Sequence, residues 1–408
     1  MLRHVPRPPS TIFCATNPIN PDGKVNTVSA VIDLAKKILS CPSVTPDEAG
    51  CFDVLKEVLL PKGFHFEIEK TPNGTTNGWI THGRGAPLFV FAGHVDVVPP
   101  GDLTRWTTPP FEPSERNGKI FARGASDMKG SVAAAAVAFA DFVTRHPDHK
   151  GTLAMLITSD EEGDGYEGTR RVVDKLEKEG TTIDWCIVGE PSCSKAFGDT
   201  IKNGRRGSLN GKVTIHGKLG HVAYPQLADN PIHRASGFIA ELCARRWDEG
   251  SEHFLPTSFQ ISNINAGVGA VNVIPSELTM LFNIRFNTNW THEKLIAEIE
   301  TLAKKYALTA DFEWKRSANP FVTQPGSMTE ALKSAIVRRT GVTAQLNTAG
   351  GTSDARFISR ISRETVEFGP MNATIHSIDE CVGIAELEAL TDIYYQTIST
   401  LLTETEGN

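Results

Sequence analysis

Leu88-Phe89-Val90-Phe91-Ala92-Gly93-His94-Val95-Asp96 is an apolar run that ends in a histidine and an aspartate. An apolar run without alternation is typical of a strand that is buried on both faces of a parallel sheet. Residues two apart on a strand share a face, so we expect His94 and Asp96 to project together. This spacing suits a metal-binding histidine whose second ring nitrogen is held by an acidic residue. The stretch therefore predicts a buried strand that ends at a metal site.

Two more apolar runs, Thr152–Ile157 and Ile183–Val188, are also followed by acidic residues. Helical spacing of apolar residues over Val28–Leu39, and an alanine-rich segment over Gly130–Thr144, predict helices before and between these strands. Strands that alternate with helices indicate a mainly parallel α/β sheet with helices on both faces. Ligands of such sheets bind beyond the carboxyl ends of the strands, which is where the acidic residues follow.

The pattern changes between residues 207 and 319, where shorter strands alternate polar and apolar residues. The predicted elements are strands at Lys212–Lys218, Phe259–Asn265, Leu278–Phe286 and Thr309–Trp314 and helices at His233–Trp247 and His292–Tyr306. The order βαββαβ is that of an α+β ferredoxin-like domain. We therefore expect 207–319 to be a domain inserted between two parts of a catalytic domain, 28–206 and 320–408. Residues 1–27, rich in proline, are predicted to be a disordered extension without a secretory signal.

Composition excludes several classes of protein. The chain has 408 residues, 40% of them hydrophobic and 22% charged, which is typical of a globular protein of two domains. A net charge of −7 argues against nucleic-acid and anionic membrane partners, and no apolar run is long enough to span a bilayer. The 7 cysteines include no C-x-x-C pair, which favours reduced thiols over a disulfide framework. We expect a cytoplasmic protein.

The acidic residues at the predicted sheet edge require counter-charges. They are Asp96, Asp127, Glu161, Glu162 and Glu190. Carboxylates in one cleft force each other to protonate unless cations neutralise them. Two divalent cations balance three bound carboxylates and a hydroxide, and a mixture of imidazole and carboxylate ligands suits zinc, with cobalt or manganese as substitutes.

The motifs of this site also follow one another in a specific order. They are Gly93-His94-Val95-Asp96, Ser126-Asp127-Met128-Lys129-Gly130, Asp160-Glu161-Glu162-Gly163, Gly189-Glu190-Pro191 and the late His376. In this order they resemble the dizinc aminoacylase/carboxypeptidase superfamily of M20-type metallopeptidases, from about residue 28 to the C-terminus. Further motifs resemble the branch that removes succinate from N-succinyl-LL-2,6-diaminopimelate. These are Asn203–Leu209, Gly220–Pro225, Val271–Pro275, Gly350–Asp354 and Gly369–His376.

The resemblance implies a zinc-peptidase-like fold and two Zn²⁺ per subunit, for which Co²⁺ can substitute. It implies that His94 and Glu190 bind one zinc, Glu162 and His376 bind the other, and Asp127 bridges both. Asp96 would orient His94, and the peptide bond after Asp127 would be cis. Glu161 would be the general base, taking a proton from water and passing it to the departing amine. The products would be succinate and LL-2,6-diaminopimelate, in bacterial lysine and cell-wall precursor synthesis.

The same resemblance implies a set of residues around the small-molecule substrate. The set is Arg205, Ser208, Tyr224, Asn272, Arg285, Gly351, Thr352 and Asn372. A substrate with carboxylates at both ends favours arginine anchors. His221 and Asn272 would reach the active site of the other subunit of a homodimer, where His221 stabilises the oxyanion. The inserted domain would then serve both as a lid and for dimerisation.

Other interpretations remain open at this point. A related dizinc hydrolase, such as an acetylornithine deacetylase or a dipeptidase, would keep the metal ligands but differ around Arg205, Thr352 and Asn372. A non-catalytic metal-binding scaffold would lack Glu161 or part of the ligand set, and this chain keeps them all. Tyr224 could simply pack against Pro225.

Overall fold

The computed structural model describes residues 27–163 and 165–403. The extension predicted for residues 1–27 thus lies, apart from Thr27, outside the described residues. Among the described residues, no helix combines the length and the apolar character needed to cross a bilayer.

Strands and helices alternate along the chain. The helices are α1 (Thr27–Leu39), α2 (Cys51–Leu59), α3 (Gly130–Arg145), α4 (Thr169–Lys178), α5 (Pro231–Ala244), α6 (His292–Lys305), α7 (Ser327–Thr340), α8 (Ala355–Ile358) and α9 (Ile384–Leu402). The strands are β1 (His65–Lys70), β2 (Thr76–Gly83), β3 (Leu88–His94), β4 (Ser114–Arg116), β5 (Lys119–Phe121), β6 (Thr152–Thr158), β7 (Ile183–Val188), β8 (Thr200–Lys202), β9 (Gly204–Arg205), β10 (Gly207–His216), β11 (Gly220–His221), β12 (Ser258–Ala266), β13 (Val273–Ile274), β14 (Glu277–Phe286), β15 (Ala310–Ala318), β16 (Phe321–Val322), β17 (Gln345–Asn347), β18 (Ser362–Glu367) and β19 (Cys381–Gly383).

The larger sheet has eight strands in the order β1-β2-β6-β3-β7-β18-β8-β17. Its centre, β6-β3-β7-β18, is parallel as predicted. The pairs β1-β2, β2-β6 and β18-β8 are antiparallel, so the sheet is mixed. At the β1-β2 edge, a tight turn in which Thr71 N–H donates to Thr75 O at 2.8 Å joins the two strands. Strands joined by so short a connection can only pair antiparallel.

Strand β3 is almost continuously apolar because every one of its residues is buried in the core. Helix α3 packs on the sheet with four successive alanines, Ala133–Ala136, fully buried. Phe91 contributes a ring in edge contact with Tyr394 of α9. Burying one apolar side chain of that size contributes about 2 kcal/mol to the stability of the fold. This packing holds the carboxyl end of β3 in place.

A second sheet, in the order β12-β14-β10-β15, lies within residues 207–318. In chain order its elements are β10-α5-β12-β14-α6-β15, the predicted βαββαβ arrangement. All its neighbouring strands are antiparallel. Val213, Phe282 and Ile299 belong to a hydrophobic cluster that is separate from the core beneath β3. This sheet therefore has its own core.

Candidate metal centre

The carboxyl ends of three adjacent parallel strands carry most of the predicted site. His94 is the last residue of β3 and lies opposite Thr158, the last residue of β6. Glu161 and Glu162 follow β6, and Glu190 follows β7 on the other side of β3. Adjacent parallel strands end at the same edge, so these side chains converge there as the sequence predicted.

Asp127 reaches the same edge from the irregular turn Ala125–Lys129, which leads into α3. Its peptide bond to Met128 is cis, which confirms that expectation. Met128 lies against two glycines of the site motifs. A Cβ added at Gly93 would come within 2.5 Å of Met128 Cε, and one at Gly189 within 2.7 Å. A side chain at either position would require Met128 to move, and one at Gly189 would also require the Phe91 ring to move.

The two carboxylate oxygens of Asp127 face two different histidines. Oδ1 lies 3.3 Å from His94 Nε2, and Oδ2 lies 3.5 Å from His376 Nε2. His376 Nε2 also lies 2.9 Å from Glu162 Oε1, while His94 Nε2 lies 3.9 Å from Glu190 Oε1. The arrangement is that of a carboxylate placed between two ligand pairs.

Three buried atoms at the centre of this cluster have no hydrogen-bond partner among the residues that the structure describes. They are His94 Nε2, Asp127 Oδ1 and Glu190 Oε1. Buried polar atoms are normally satisfied, and leaving one unpaired costs about 1–3 kcal/mol. Imidazole nitrogen and carboxylate oxygen are ligands for divalent transition metals. The residues present therefore fit a metal ion at this position.

Glu161 lies close to the same cluster. Ligand atoms of His94, Glu161 and Glu190 lie within 4.8 Å of one another, and so do those of His94, Asp127 and Glu162. Glu161 Oε2 is 4.0 Å from His94 Nε2. Glu161 is thus within reach of a cation held by His94 and Glu190.

The electrostatics of the cluster favour bound protons when no cation is present. Burial, reinforced by neighbouring carboxylates, raises the pKa of Glu161 and of Glu190 well above the usual value. Burial lowers the pKa of His94, but Asp127, Asp96 and the nearby glutamates outweigh it and raise the pKa overall. Hydrogen bonds to Asp127 and Glu162 raise the pKa of His376 to about 10. Cations entering this site displace protons.

Asp96 orients His94 through its backbone carbonyl and not, as expected, through its carboxylate. His94 Nδ1 contacts the backbone carbonyl of Asp96 at 2.8 Å, whereas the Asp96 carboxylate is 3.6 Å away. That carboxylate accepts the backbone N–H groups of Glu161 at 3.3 Å and of Glu162 at 3.1 Å. A carbonyl acceptor at Nδ1 fixes the proton there and leaves the Nε2 lone pair free for a metal. The Asp96 side chain holds the turn that carries both glutamates.

Glu380 is a buried residue of the site that the sequence analysis missed. Its carboxylate accepts the backbone N–H groups of Gly124, Ser126 and Asp127 at 2.9–3.0 Å. It also pairs with the buried Arg123 at 2.8 Å. The only signal in the sequence was an acidic residue four positions after His376, which is not a recognisable motif by itself.

Arg205, predicted to contact the substrate, is buried and already paired. It forms an ion pair with Glu367 through Nε at 2.8 and 2.9 Å and through Nη2, and its Nη1 donates to Ala349 O at 3.2 Å. Ser353 donates to the same carboxylate. The guanidinium fork of Arg205 is therefore engaged within the protein, which the sequence analysis did not foresee.

The other predicted substrate residues fall into two groups. Thr352 and Glu161 line one cleft of about 570 Å³ together with His292 and Arg316 from the 207–319 segment. Ser208 on β10 and Arg285 on β14 are paired in register. The exposed Gly351 precedes Thr352, and Asn372 N–H donates to Cys193 O at 2.9 Å.

The second group, His221, Tyr224 and Asn272, is exposed to solvent. His221 lies in the two-stranded β11-β13 ladder, and Val222 N–H donates to Asn272 O at 3.1 Å. In the part of the chain that the structure describes, none of the three makes a hydrogen bond or ion pair with the metal cluster. The structure brings the predicted ligands together but leaves this group apart.

Comparison with known proteins agrees with this geometry. The profile of peptidase family M20/M25/M40 matches residues 90–400, which include every residue of the cluster. The chain belongs to this family. Among its curated relatives, the succinyl-diaminopimelate desuccinylase of Nitrosococcus oceani is 49% identical over 377 residues, covering 92% of this chain and 100% of the relative. The desuccinylase of Bordetella parapertussis is 49% identical over 376 residues, covering 92% and 99%.

Solved M20 structures share the fold at low sequence identity. Aminopeptidase PepT of Bacillus cereus superposes with a TM-score of 0.75 at 20% identity, covering 92% of this chain and 98% of that one. A dinuclear metal-binding M20 peptidase of Bacillus subtilis superposes with a TM-score of 0.68 at 17% identity, covering 92% and 98%. The mixed α/β architecture is thus that of M20 peptidases.

Proposed function

We propose that this M20 enzyme hydrolyses N-succinyl-LL-2,6-diaminopimelate to succinate and LL-2,6-diaminopimelate. The observation that carries the reaction class is Asp127 between two histidines, with unpaired buried ligand atoms at the centre. Support for this substrate comes from relatives 49% identical over almost their whole length, which are named succinyl-diaminopimelate desuccinylase.

The proposed cofactors are two Zn²⁺ ions, for which Co²⁺ can substitute. His94 and Glu190 would hold one ion, Glu162 and His376 would hold the other, and Asp127 would be shared by both. The approach of Glu162 and His376 on one side of Asp127, and of His94 on the other, supports this division. When bound, two such cations lower the pKa of water towards neutrality and polarise the amide carbonyl.

Glu161 is the proposed general base. It takes the proton of the attacking water and returns it to the amine as the amide bond breaks. The Glu161–Glu162 turn is held by Asp96, so the two glutamates divide the roles of base and ligand. Burial raises the pKa of Glu161, which suits a group that must retain a proton until the amine departs.

Arginines near the cleft are the proposed anchors for the carboxylates of the substrate. Burial lowers the pKa of Arg285, and the charges of Arg206 and Arg205 lower it further. Arg206 Nε is buried and has no hydrogen-bond partner within residues 27–163 and 165–403. Arg205, held by Glu367, contributes charge, and a Cβ added at Gly350 would lie 2.6 Å from its Nη1. Around them we place Ser208, Gly351, Thr352 and Asn372.

The enzyme is proposed to act as a homodimer, with residues 207–319 as the lid and dimerisation domain. His221, Tyr224 and Asn272 would then enter the partner's active site. Their surroundings carry exposed apolar side chains, namely Leu219, Val222, Leu227, Val268 and Val271. Grouped exposed apolar side chains mark interaction surfaces.

The tautomer of His221 fits a role in stabilising the oxyanion. Its Nδ1 accepts the backbone N–H of Ala223 at 3.0 Å. A ring nitrogen that accepts carries no proton, so the neutral ring has its proton on Nε2, where it can donate. Such a donor contributes about 2.7–4 kcal/mol in comparable enzymes. We place this chemistry in the cytoplasm, where the unpaired cysteines of the described residues remain reduced.

The test is succinate release from the LL isomer by zinc-loaded protein, compared with acetate release from acetylornithine and with dipeptide cleavage. We expect succinyl-diaminopimelate to be turned over fastest and a chelator to abolish the reaction until zinc or cobalt is restored. Faster cleavage of acetylornithine or a dipeptide would reject the substrate. Full activity of metal-free protein would reject the mechanism.

A further inference from the structure

Two cysteine side chains meet at the end of helix α1, outside the metal cluster. Cys41 follows the helix, and Cys51 is the first residue of α2. Cys41 Sγ lies 3.6 Å from Lys37 O, and Cys51 Sγ lies 3.9 Å from Ile38 O, the next carbonyl of the last turn of α1. Each thiol is also the largest influence on the pKa of the other, so the two groups interact directly. They are therefore neighbours in space although ten positions apart in sequence.

The two thiols differ in solvent exposure and in pKa. Cys51 is fully buried, whereas Cys41 is partly exposed between the exposed residues Ser40 and Pro42. The interaction with Cys51 lowers the pKa of Cys41 to about 7, against the effect of burial and with help from the charge of Lys129. The same interaction, together with burial, raises the pKa of Cys51. A reachable thiolate beside a second thiol is the arrangement of oxidant-sensitive cysteine pairs.

We propose that Cys41 and Cys51 form a modification site, at which hydrogen peroxide converts the two thiols into a reversible disulfide. The Cys41 thiolate attacks the peroxide, so that an S–O bond forms, the O–O bond breaks and one water leaves after protonation. The Cys51 sulfur then attacks the sulfenic acid, so that the S–S bond forms and the S–O bond breaks, releasing a second water with the thiol proton. Two thiols are oxidised by two electrons and the peroxide is reduced to two waters.

The loop between the two cysteines is hydrogen-bonded to the segment that carries Asp96. Ser43 Oγ donates to Val95 O at 2.6 Å, Val97 N–H donates to Ser43 O at 2.9 Å, and Thr45 N–H donates to Val97 O at 3.1 Å. Asp96 lies between these contacts and holds the Glu161–Glu162 turn.

A second connection runs through Lys129. Its fully buried side chain donates from Nζ to the Cys41 carbonyl at 2.8 Å. Lys129 follows Met128 in the turn that presents Asp127. A disulfide draws its sulfurs to about 2.05 Å and so displaces the Cys41 backbone. We expect oxidation to reduce turnover roughly tenfold, the effect typical of disturbing groups that orient metal ligands.

The experiment treats reduced, zinc-loaded full-length protein with hydrogen peroxide and follows both turnover and thiol state. Residues 38–56 contain both cysteines and no internal Lys or Arg, so trypsin releases the pair in a single peptide. We expect this peptide to lose two hydrogens and to become resistant to alkylation at both sulfurs. A dithiol reductant should restore alkylation and turnover together.

Three variants make the result specific. Cys41→Ser should retain turnover under peroxide, whereas Cys243→Ser, which removes an exposed and unpaired thiol, should remain sensitive. Cys51→Ala provides a second route if Cys41→Ser does not fold, because it should form no disulfide and should accumulate the sulfenic acid. Both thiols remaining alkylatable after inactivation, equal inactivation of Cys41→Ser, or a disulfide without loss of turnover would each overturn the proposal.

Discussion

The buried carboxylate of Glu380 accepts the backbone N–H of Asp127 at 2.9 Å across 253 positions of sequence. Asp127 is the residue whose two oxygens face the two histidines, and its turn has an irregular backbone. Helical hydrogen bonds cannot satisfy the amides of such a turn, so a distant carboxylate does so. Glu380 therefore determines where the Asp127 side chain lies.

Glu380→Gln should weaken metal binding roughly tenfold, because the new amide NH₂ group opposes the backbone donors that position Asp127. Metal affinity can be measured by competition with a chromophoric chelator on folded protein. Unchanged affinity would show that the turn keeps its position without the carboxylate.

Glu364 provides a matched control for Glu380, since it is also a buried carboxylate that accepts several backbone amides. It accepts N–H groups of Gly326 at 2.9 Å, Met328 at 3.0 Å and Thr329 at 2.7 Å, at the start of α7. Glu364→Gln should lower the free energy of unfolding by about 1–3 kcal/mol while leaving metal affinity unchanged. Denaturant unfolding gives the first quantity and chelator competition the second. An equal loss of metal affinity would mean that both variants act through general destabilisation.

Glu161→Gln should lower kcat by about 10²–10⁴-fold while the purified protein keeps its metal, because the general base is lost and the ligands remain. The comparison is His94→Ala, which removes a proposed ligand and should lower metal content. Steady-state kinetics and elemental analysis on the same samples provide the two readings. A Glu161→Gln protein with near-normal turnover would assign the base to another residue.

Metal uptake should release protons at neutral pH. In the metal-free protein, the pKa values of Glu161, Glu190 and His94 are raised above their usual values and that of His376 is raised to about 10, so each group holds its proton to a higher pH than usual. Ligands bind in their deprotonated forms, so apparent affinity should rise with pH until these groups have lost their protons. Titration calorimetry in two buffers of different ionisation enthalpy counts the protons. Identical enthalpies in both buffers would contradict the proposed electrostatics.

Hybrid dimers can test whether His221 acts across subunits. His221→Ala and Glu161→Ala proteins should each be nearly inactive, whereas a mixture that has exchanged subunits should recover activity. In one active site of the hybrid, an intact Glu161 meets an intact His221 from the other chain. A tagged subunit confirms exchange by co-purification. No recovery after confirmed exchange would place His221 in its own subunit's site or outside catalysis.

The sequence predicted the fold best in segments whose burial in the folded protein matches their pattern of apolar residues. The apolar run of β3 predicted a strand buried on both faces, and its carboxyl end predicted where His94 would lie. Helix α3 was predicted from Gly130 to Thr144 and spans Gly130–Arg145. The antiparallel edge of the sheet was missed, because strand direction depends on the connection and not on residue pattern.

The sequence by itself indicated the central strands β3, β6 and β7, helix α3 and the gathering of acidic residues at the strand ends, because apolar periodicity and the rule for strand ends are local properties. Only the tertiary structure decided which groups each buried carboxylate binds. Glu380 holds Asp127, Glu367 occupies Arg205, and Asp96 binds the glutamate turn through its side chain. Each partnership joins residues 65 or more positions apart. A buried charge pairs with the group that the folded chain brings within hydrogen-bonding distance. The spacing of residues along the sequence does not predict which group that is.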